Sequence, residues 1–332
     1  MLPEECKVGR LMWEGTGIPG TALAHTWHVC LFVIAITFVT SSLTRNYSQV
    51  DKLWSILPWL YAWILVVDTR TLLMALLATL WGLRLTYNFN RRGGYQWPPW
   101  AGGEDYRWSL LQQGVYIPAL KNRLLWHIFN FVFVSFYQNL LLWFIAFPSM
   151  VAHLVATHEC FAKKQSSSSL NPIDAMATLL LLAFLTLETL ADNEQYAFQT
   201  EKYRRKNAGE KLDDGDFKDG FYQSGLFAVV RKPNYTGEQG VWCAYYLFSV
   251  AALWSIADMN MINKLMNASM IGCTLLILLF QGSGPMTEFV TISKYPSYKE
   301  YQKRVPLYVP RLFGGSPKTT ISSHEHGKRK SS

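Results

Sequence analysis

The sequence predicts an all-α, polytopic membrane protein with about seven transmembrane helices, whose cytosolic loops form a cofactor site. Half of the 332 residues are hydrophobic, and only 16% are charged. The apolar residues also occur in blocks, several of them close to the roughly 20 residues that an α-helix needs to cross a bilayer. The predicted spans are residues 24–44, 53–68, 71–88, 125–153, 170–190, 239–257 and 264–282.

The basic residues predict how these spans are oriented. If all seven are accepted, most of the 31 Lys and Arg residues fall in the loops on one side, which is the pattern of cytosolic loops. Residues 1–23 are then a non-cytosolic segment, 24–313 the transmembrane domain, and 314–332 a disordered basic tail in the cytosol. Residues 328–332, KRKSS, are typical of a lysine-based retrieval signal and favour the endoplasmic reticulum membrane. The alternative is a basic tail without a signal.

The net charge of +8 does not indicate a nucleic-acid partner, because the basic residues are spread over membrane-flanking loops. Anionic lipid headgroups and a phosphate-bearing cofactor are the expected partners. The five cysteines have no metal or redox spacing, with Cys6 and Cys160 far apart, so no metal site is predicted. The chain has no glycine-rich dinucleotide or Walker motif, which excludes a soluble nucleotide-binding domain.

The third span ends in a polar stripe. Arg84, Tyr87, Asn88 and Arg91 recur at helical spacing, so they share one face over the last two turns. Before the second span, Asp51 is either an interfacial residue or a carboxylate aimed into a cavity.

The fifth span carries a second polar face. Glu188, Asp192, Gln195 and Gln199 lie at helical spacing and lead to a basic cluster that includes Arg204 and Arg205. Amide and carboxylate acceptors beside guanidinium groups suit the ribose and phosphates of a nucleotide. The alternative is a solvated helix end with charge pairs between neighbouring turns.

Residues 220–238 contain a stiff turn bracketed by Pro233 and Gly237. Arg231, Lys232 and Asn234 can present donors there to an anionic ligand. Glu238 stands at the start of the next helix. A basic pair that only snorkels to the interface is the alternative.

Three blocks of sequence resemble the steroid 5α-reductase superfamily, in particular a poorly characterised membrane branch. The first is GLF at 225–227 followed by RKPNYTGE at 231–238, and the second is GEDYRW at 103–108. The third is the ending formed by KY at 294–295, Tyr298, Tyr301, VP at 305–306 and Pro310. Together they cover residues 45–313. The block at 231–238 alone is shared with isoprenylcysteine and phospholipid methyltransferases.

The resemblance implies an NADPH-dependent reductase of a carbon–carbon double bond conjugated to a carbonyl in a steroid, sterol or other lipid. Tyr87 would polarise the carbonyl with Asp51 as its acid partner, although the family acid is usually Glu. One alternative is an S-adenosylmethionine-dependent methyltransferase, disfavoured because Glu288 stands where that family carries paired glutamates. Another is a non-catalytic lipid-binding protein. The predicted cofactor-binding residues are Asp192, Gln195, Gln199, Arg204, Arg205, Tyr222, Arg231, Asn234 and Glu238.

Overall fold

The computed structural model describes residues 6–162, 170–257 and 259–311, and over these ranges it contains helices and no strands. This confirms the all-α prediction. The tail 314–332 and its predicted retrieval signal lie outside the described residues. The helices are α1 (Val8–Gly17), α2 (Ala22–Thr44), α3 (Gln49–Trp54), α4 (Leu57–Ile64), α5 (Thr69–Asn90), α6 (Tyr106–Gln112), α7 (Arg123–Ile145), α8 (Phe147–Thr157), α9 (Glu159–Ala162), α10 (Pro172–Asn207), α11 (Gly215–Asp219), α12 (Pro233–Trp254), α13 (Met261–Leu265), α14 (Met270–Lys294) and α15 (Tyr298–Arg304).

Five of the described helices, α2, α5, α7, α10 and α14, are long and apolar enough to cross a membrane. The predicted second span is divided into α3 and α4, because Pro58 occupies the first turn of a new helix. Pro148 likewise starts α8 and divides the predicted fourth span. Residues 239–254 of the predicted sixth span lie in α12, which ends at Trp254, three residues before the predicted end. The count of seven therefore stays a prediction.

Helix α12 lies at the centre of the bundle, and most of its side chains are buried. Its first half packs directly on α10 at two glycines. A Cβ atom at Gly237 would lie 2.6 Å from the Cβ and 2.9 Å from the backbone nitrogen of Glu188. A Cβ atom at Gly240 would meet the Phe184 ring at 2.3 Å. Only glycine permits this approach, which explains the Gly of the RKPNYTGE block in physical terms.

We expect Gly237→Ala to lower the free energy of unfolding by about 1–3 kcal/mol, because the added methyl group meets backbone that cannot move aside. Thermal unfolding of the purified protein in detergent measures the change. Gly282→Ala is the matched control, since a Cβ there has no heavy atom within 4 Å. It is expected to keep or slightly raise stability through helix propensity. Equal stability of the two variants would refute the close packing.

The starts of α5 and α10 are fastened together by a buried ion pair. Arg70 Nε and Nη2 donate to the two carboxylate oxygens of Asp174, each at 2.9 Å. On the chain leading into α1, Cys6 forms a disulfide with Cys160 of α9, across a sequence separation of 154. These two cysteines are far apart in the sequence, as noted above, but they are bonded in the fold, and their spacing in the sequence did not predict this.

Candidate functional site

A cavity of about 980 Å³ lies between the helices. It runs along α14 from Leu278 to Lys294, about 24 Å at the usual helical rise, so it reaches from apolar to polar surroundings. We name three parts of its wall. The aromatic arm comprises Trp54, Phe129, Phe133, Tyr137 and Phe280; the acidic layer comprises Glu188, Asp192 and Glu238; the polar arm comprises Gln195, Gln199, Lys202, Lys232 and Lys294.

The acidic layer is organised by the Arg84 guanidinium. Its Nη1 donates to Asp192 Oδ2 at 2.7 Å, and its Nη2 donates to the Glu188 carboxylate. Glu238 Oε2 lies 3.9 Å from the same Nη2. Three buried carboxylates thus share this cation, and they draw the C-terminal part of α5, the middle of α10 and the start of α12 together.

Asp192 collects further donors. Asn88 Nδ2 donates to its Oδ2 at 2.7 Å, and Asn234 Nδ2 donates to its Oδ1 at 3.2 Å. Arg92 Nη2 lies 3.6 Å from Oδ1. The Asn of the RKPNYTGE block therefore joins α12 to α10 at the cavity wall.

Glu238 also lines the cavity, but both of its oxygens are engaged. Trp81 Nε1 and Trp242 Nε1 each donate to one carboxylate oxygen at 2.9 Å. An indole nitrogen only donates, so these contacts hold the carboxylate in place. The residue predicted to bind cofactor is an acceptor already satisfied by the protein.

The predicted polar face of α10 is present on the cavity wall, with Glu188, Asp192, Gln195 and Gln199 all lining it. Among the described residues, the side-chain amides of Gln195 and Gln199 have no hydrogen-bonding partner. Tyr222 lines the same wall. Burial, and then the carboxylates of Glu194 and Asp216, raise the pKa of Tyr222 and keep its phenol protonated as a donor.

Arg204 and Arg205 do not line the cavity, contrary to the predicted phosphate cluster. Arg204 pairs with Glu201 and Glu210, and Arg205 pairs with Glu201 and Asp214, at distances of 2.8 Å. The alternative interpretation, a solvated helix end balanced by charge pairs, describes these two residues better.

Arg231 reaches the cavity wall but has little left to offer a ligand. Its Nε and Nη2 donate to the Glu288 carboxylate at 2.6 and 3.0 Å. Its Nη1 donates to the backbone carbonyls of Gln302 and Val305. These hydrogen bonds occupy most of the donors of a largely buried guanidinium. Arg231 therefore ties the segment 302–305 to α14.

Two lysines face the cavity. Sequence reasoning named Lys232 as a donor to an anionic ligand but gave no such role to Lys294. Lys232 and Lys294 line it, and neither forms an ion pair within the described part of the chain. Lys232 lies over the Tyr235 ring at 5.7 Å. Both lysines stand inside the resembling blocks, beside Arg231 and Tyr295, and that position was the available signal.

The two predicted catalytic residues are not brought together. Tyr87 is 65% exposed and does not line the cavity, and its ring lies 5.4 Å from the Arg91 guanidinium carbon. Asp51 does line the cavity, where its Oδ2 accepts a hydrogen bond from Trp108 Nε1 at 2.9 Å.

The GEDYRW block builds the surroundings of Asp51. Arg107 holds the Asp105 carboxylate at both oxygens, at 2.9 and 2.8 Å, and reaches Ser283 of α14 at 3.1 Å. Burial, and then the negative charge of Asp105, raise the pKa of Asp51. Burial also acts on Asp105, but the Arg107 charge and hydrogen bonds outweigh it and lower the pKa of Asp105. Asp51 therefore keeps its proton to higher pH than an exposed aspartate.

Comparison with known proteins identifies the family. An uncharacterized protein of Schizosaccharomyces pombe (strain 972 / ATCC 24843) is 32% identical over 285 residues, which cover 82% of this chain and 74% of that protein. No solved structure matches the chain significantly. A family described as "Protein of unknown function (DUF1295)" matches residues 37–305, which include the whole described cavity wall. The chain therefore belongs to the DUF1295 family.

Proposed function

We propose that the protein is a membrane-embedded, NADPH-dependent reductase of a carbon–carbon double bond conjugated to a carbonyl in a steroid, sterol or other lipid. One observation carries the proposal: a single cavity joins unpaired amides and cations to an aromatic arm between apolar helices. A water-soluble dinucleotide and a bilayer lipid can meet in such a cavity. Its volume of about 980 Å³ lies at the upper end of ligand sites. The resemblance to the steroid 5α-reductase superfamily supports the same reaction.

The residues of the polar arm fit a dinucleotide. Gln195 and Gln199 offer amides without protein partners, and Lys232 and Lys294 offer charges without carboxylate partners in the described chain. Asn234 contributes its amide beside Asp192. We assign the phosphates to the two lysines in place of Arg204, Arg205 and Arg231. NADPH supplies a hydride when bound.

Asp51 is the group that we assign to the substrate carbonyl. Its Oδ2 accepts from Trp108. When Asp51 is protonated, its carboxyl O–H can donate to a carbonyl oxygen in the cavity. That hydrogen bond would stabilise the negative charge that the oxygen develops during reduction, and a preorganised donor of this kind contributes about 3–4 kcal/mol. Tyr87 has no part in this assignment.

We place the protein in the endoplasmic reticulum membrane with its C-terminus in the cytosol. The disulfide between Cys6 and Cys160 supports this orientation, because disulfides persist on the oxidising side of a membrane. Residues 6 and 160 both fall on the non-cytosolic side in the prediction from basic residues.

The test is a thermal shift of the purified protein in detergent. At about 100 times its dissociation constant, NADPH should add about 2.7 kcal/mol to the free energy of unfolding. Gln199→Leu should reduce the shift, whereas Arg204→Ala, at a residue outside the cavity, should leave it unchanged. A shift with S-adenosylmethionine alone would favour the methyltransferase, and a shift with neither ligand would favour a lipid-binding protein.

A further inference from the structure

Gln138 occupies a distinctive place on the cavity wall. It follows the π-helical stretch Asn130–Tyr137 within α7, and its side chain is only 5% exposed. Its Oε1 accepts a hydrogen bond from Trp54 Nε1 at 3.0 Å. Because an indole nitrogen can only donate, the amide oxygen must face Trp54, and this contact fixes the direction of the amide nitrogen.

The amide nitrogen of Gln138 has no acceptor among the described residues, although the residue lines the cavity. The neighbouring amides of α7 behave differently. Asn130 Nδ2 donates to Ser41 Oγ at 3.0 Å, and Asn139 Nδ2 donates to the Ser135 carbonyl at 2.7 Å. Gln138 thus presents two N–H groups, without an acceptor in the described chain, to the cavity that it lines.

The surroundings indicate what an acceptor would belong to. Phe129, Phe133 and Tyr137 form a ladder along α7, with ring centroids 5.0 and 5.3 Å apart. Asp51 and Trp54 are three residues apart on α3, so they share a face of that helix and both line the cavity. The contact with Trp54 places the Gln138 amide beside the aromatic arm, on the cavity wall that Asp51 also lines. An oxygen on an otherwise apolar molecule would be a fitting acceptor there.

We propose that the Gln138 carboxamide, held by Trp54, donates a hydrogen bond to a carbonyl or hydroxyl oxygen of the lipid and thereby selects oxygenated lipids over hydrocarbons. The proposal rests on the proposed function in one respect, that the occupant of the aromatic arm is a lipid. It does not require that the lipid is reduced.

The experiment measures the dissociation constants of cholest-4-en-3-one and cholest-4-ene, which differ by one carbonyl oxygen, for the purified protein in lipid nanodiscs without nucleotide. We expect the wild type to bind the ketone about 10-fold or more tightly, the factor that corresponds to one buried hydrogen bond. Gln138→Met keeps the length of the side chain and removes this donor, so the preference for the ketone should fall by about 10-fold, and any preference that remains is assigned to Asp51. Trp54→Phe leaves the amide free to turn and should reduce the preference.

Asn139→Leu is the control, because it removes a buried amide from the same helix at a site away from the cavity. It should lower stability and leave the ketone preference unchanged, and thermal unfolding of each variant establishes that it is folded. A wild type without a preference, or a Gln138→Met protein with the preference of the wild type, would overturn the proposal. A reduced preference in Gln138→Met without any NADPH-induced thermal shift would sustain this inference and remove the reductase.

Discussion

Arg84→Met is expected to lower the free energy of unfolding by about 3–5 kcal/mol, because it leaves buried carboxylates without their cation. Arg84 donates to Asp192 at 2.7 Å and to the Glu188 carboxylate, and its side chain is 12% exposed. Methionine keeps much of the apolar volume, so the loss reports mainly on charge. Thermal or denaturant unfolding in mixed micelles measures it.

Arg10→Met is the matched control for this substitution. Arg10 pairs with Glu14 at 2.7 Å, but the two side chains are 53% and 47% exposed. An exposed pair of this kind contributes less than about 1 kcal/mol. Adding Glu188→Gln to Arg84→Met should recover part of the lost stability by removing one unpaired charge. Similar stability of the two single variants would contradict the role given to Arg84.

Helical periodicity was sufficient to predict much of the site. Arg84 and Asn88 of the α5 stripe both bond Asp192, and the four residues of the α10 face all reach the cavity. Tyr87 shows the limit of this reasoning. At about 100° per residue it lies about 60° from Arg84 on one side, while Asn88 lies about 40° away on the other. Which of the two side chains faces the interior depends on where α10 packs against α5. That packing is tertiary structure, which helical periodicity does not predict.

Charge pairing was less predictable. The same sequence pattern is compatible with a basic residue that faces a ligand and with one that pairs with a neighbouring carboxylate. Arg204 and Arg205 form ion pairs with Glu201 one helical turn away, and Arg231 forms an ion pair with Glu288 on another helix. The pairing of Cys6 with Cys160 was also missed, since a contact across 154 residues leaves no periodic trace. The sequence offered one indication of this pairing: the predicted topology places both cysteines on the non-cytosolic side of the membrane.

The same distinction between local pattern and tertiary placement underlies our proposal that Asp51, and not Tyr87, donates to the substrate carbonyl. Asp51 is a half-buried acid on the cavity wall, with its Oδ2 fixed by Trp108, whereas Tyr87 is largely exposed away from the cavity. We therefore expect Asp51→Leu to reduce turnover of a lipid enone by a factor on the order of 10², because leucine keeps a similar volume and removes the donor, whereas asparagine would keep an amide N–H there. Tyr87→Phe should retain turnover near that of the wild type.

The pH dependence tests the same assignment. In the proposed reaction the active form of Asp51 is the protonated one, and burial followed by the Asp105 charge raises its pKa. Wild-type turnover should be constant below that pKa and should fall as the pH rises through it, since the carboxylate has no proton to donate. Asp51→Leu should lack this alkaline limb, because its residual activity depends on no carboxyl proton. Retention of the limb in Asp51→Leu, or a 100-fold loss confined to Tyr87→Phe, would return the donor role to another group.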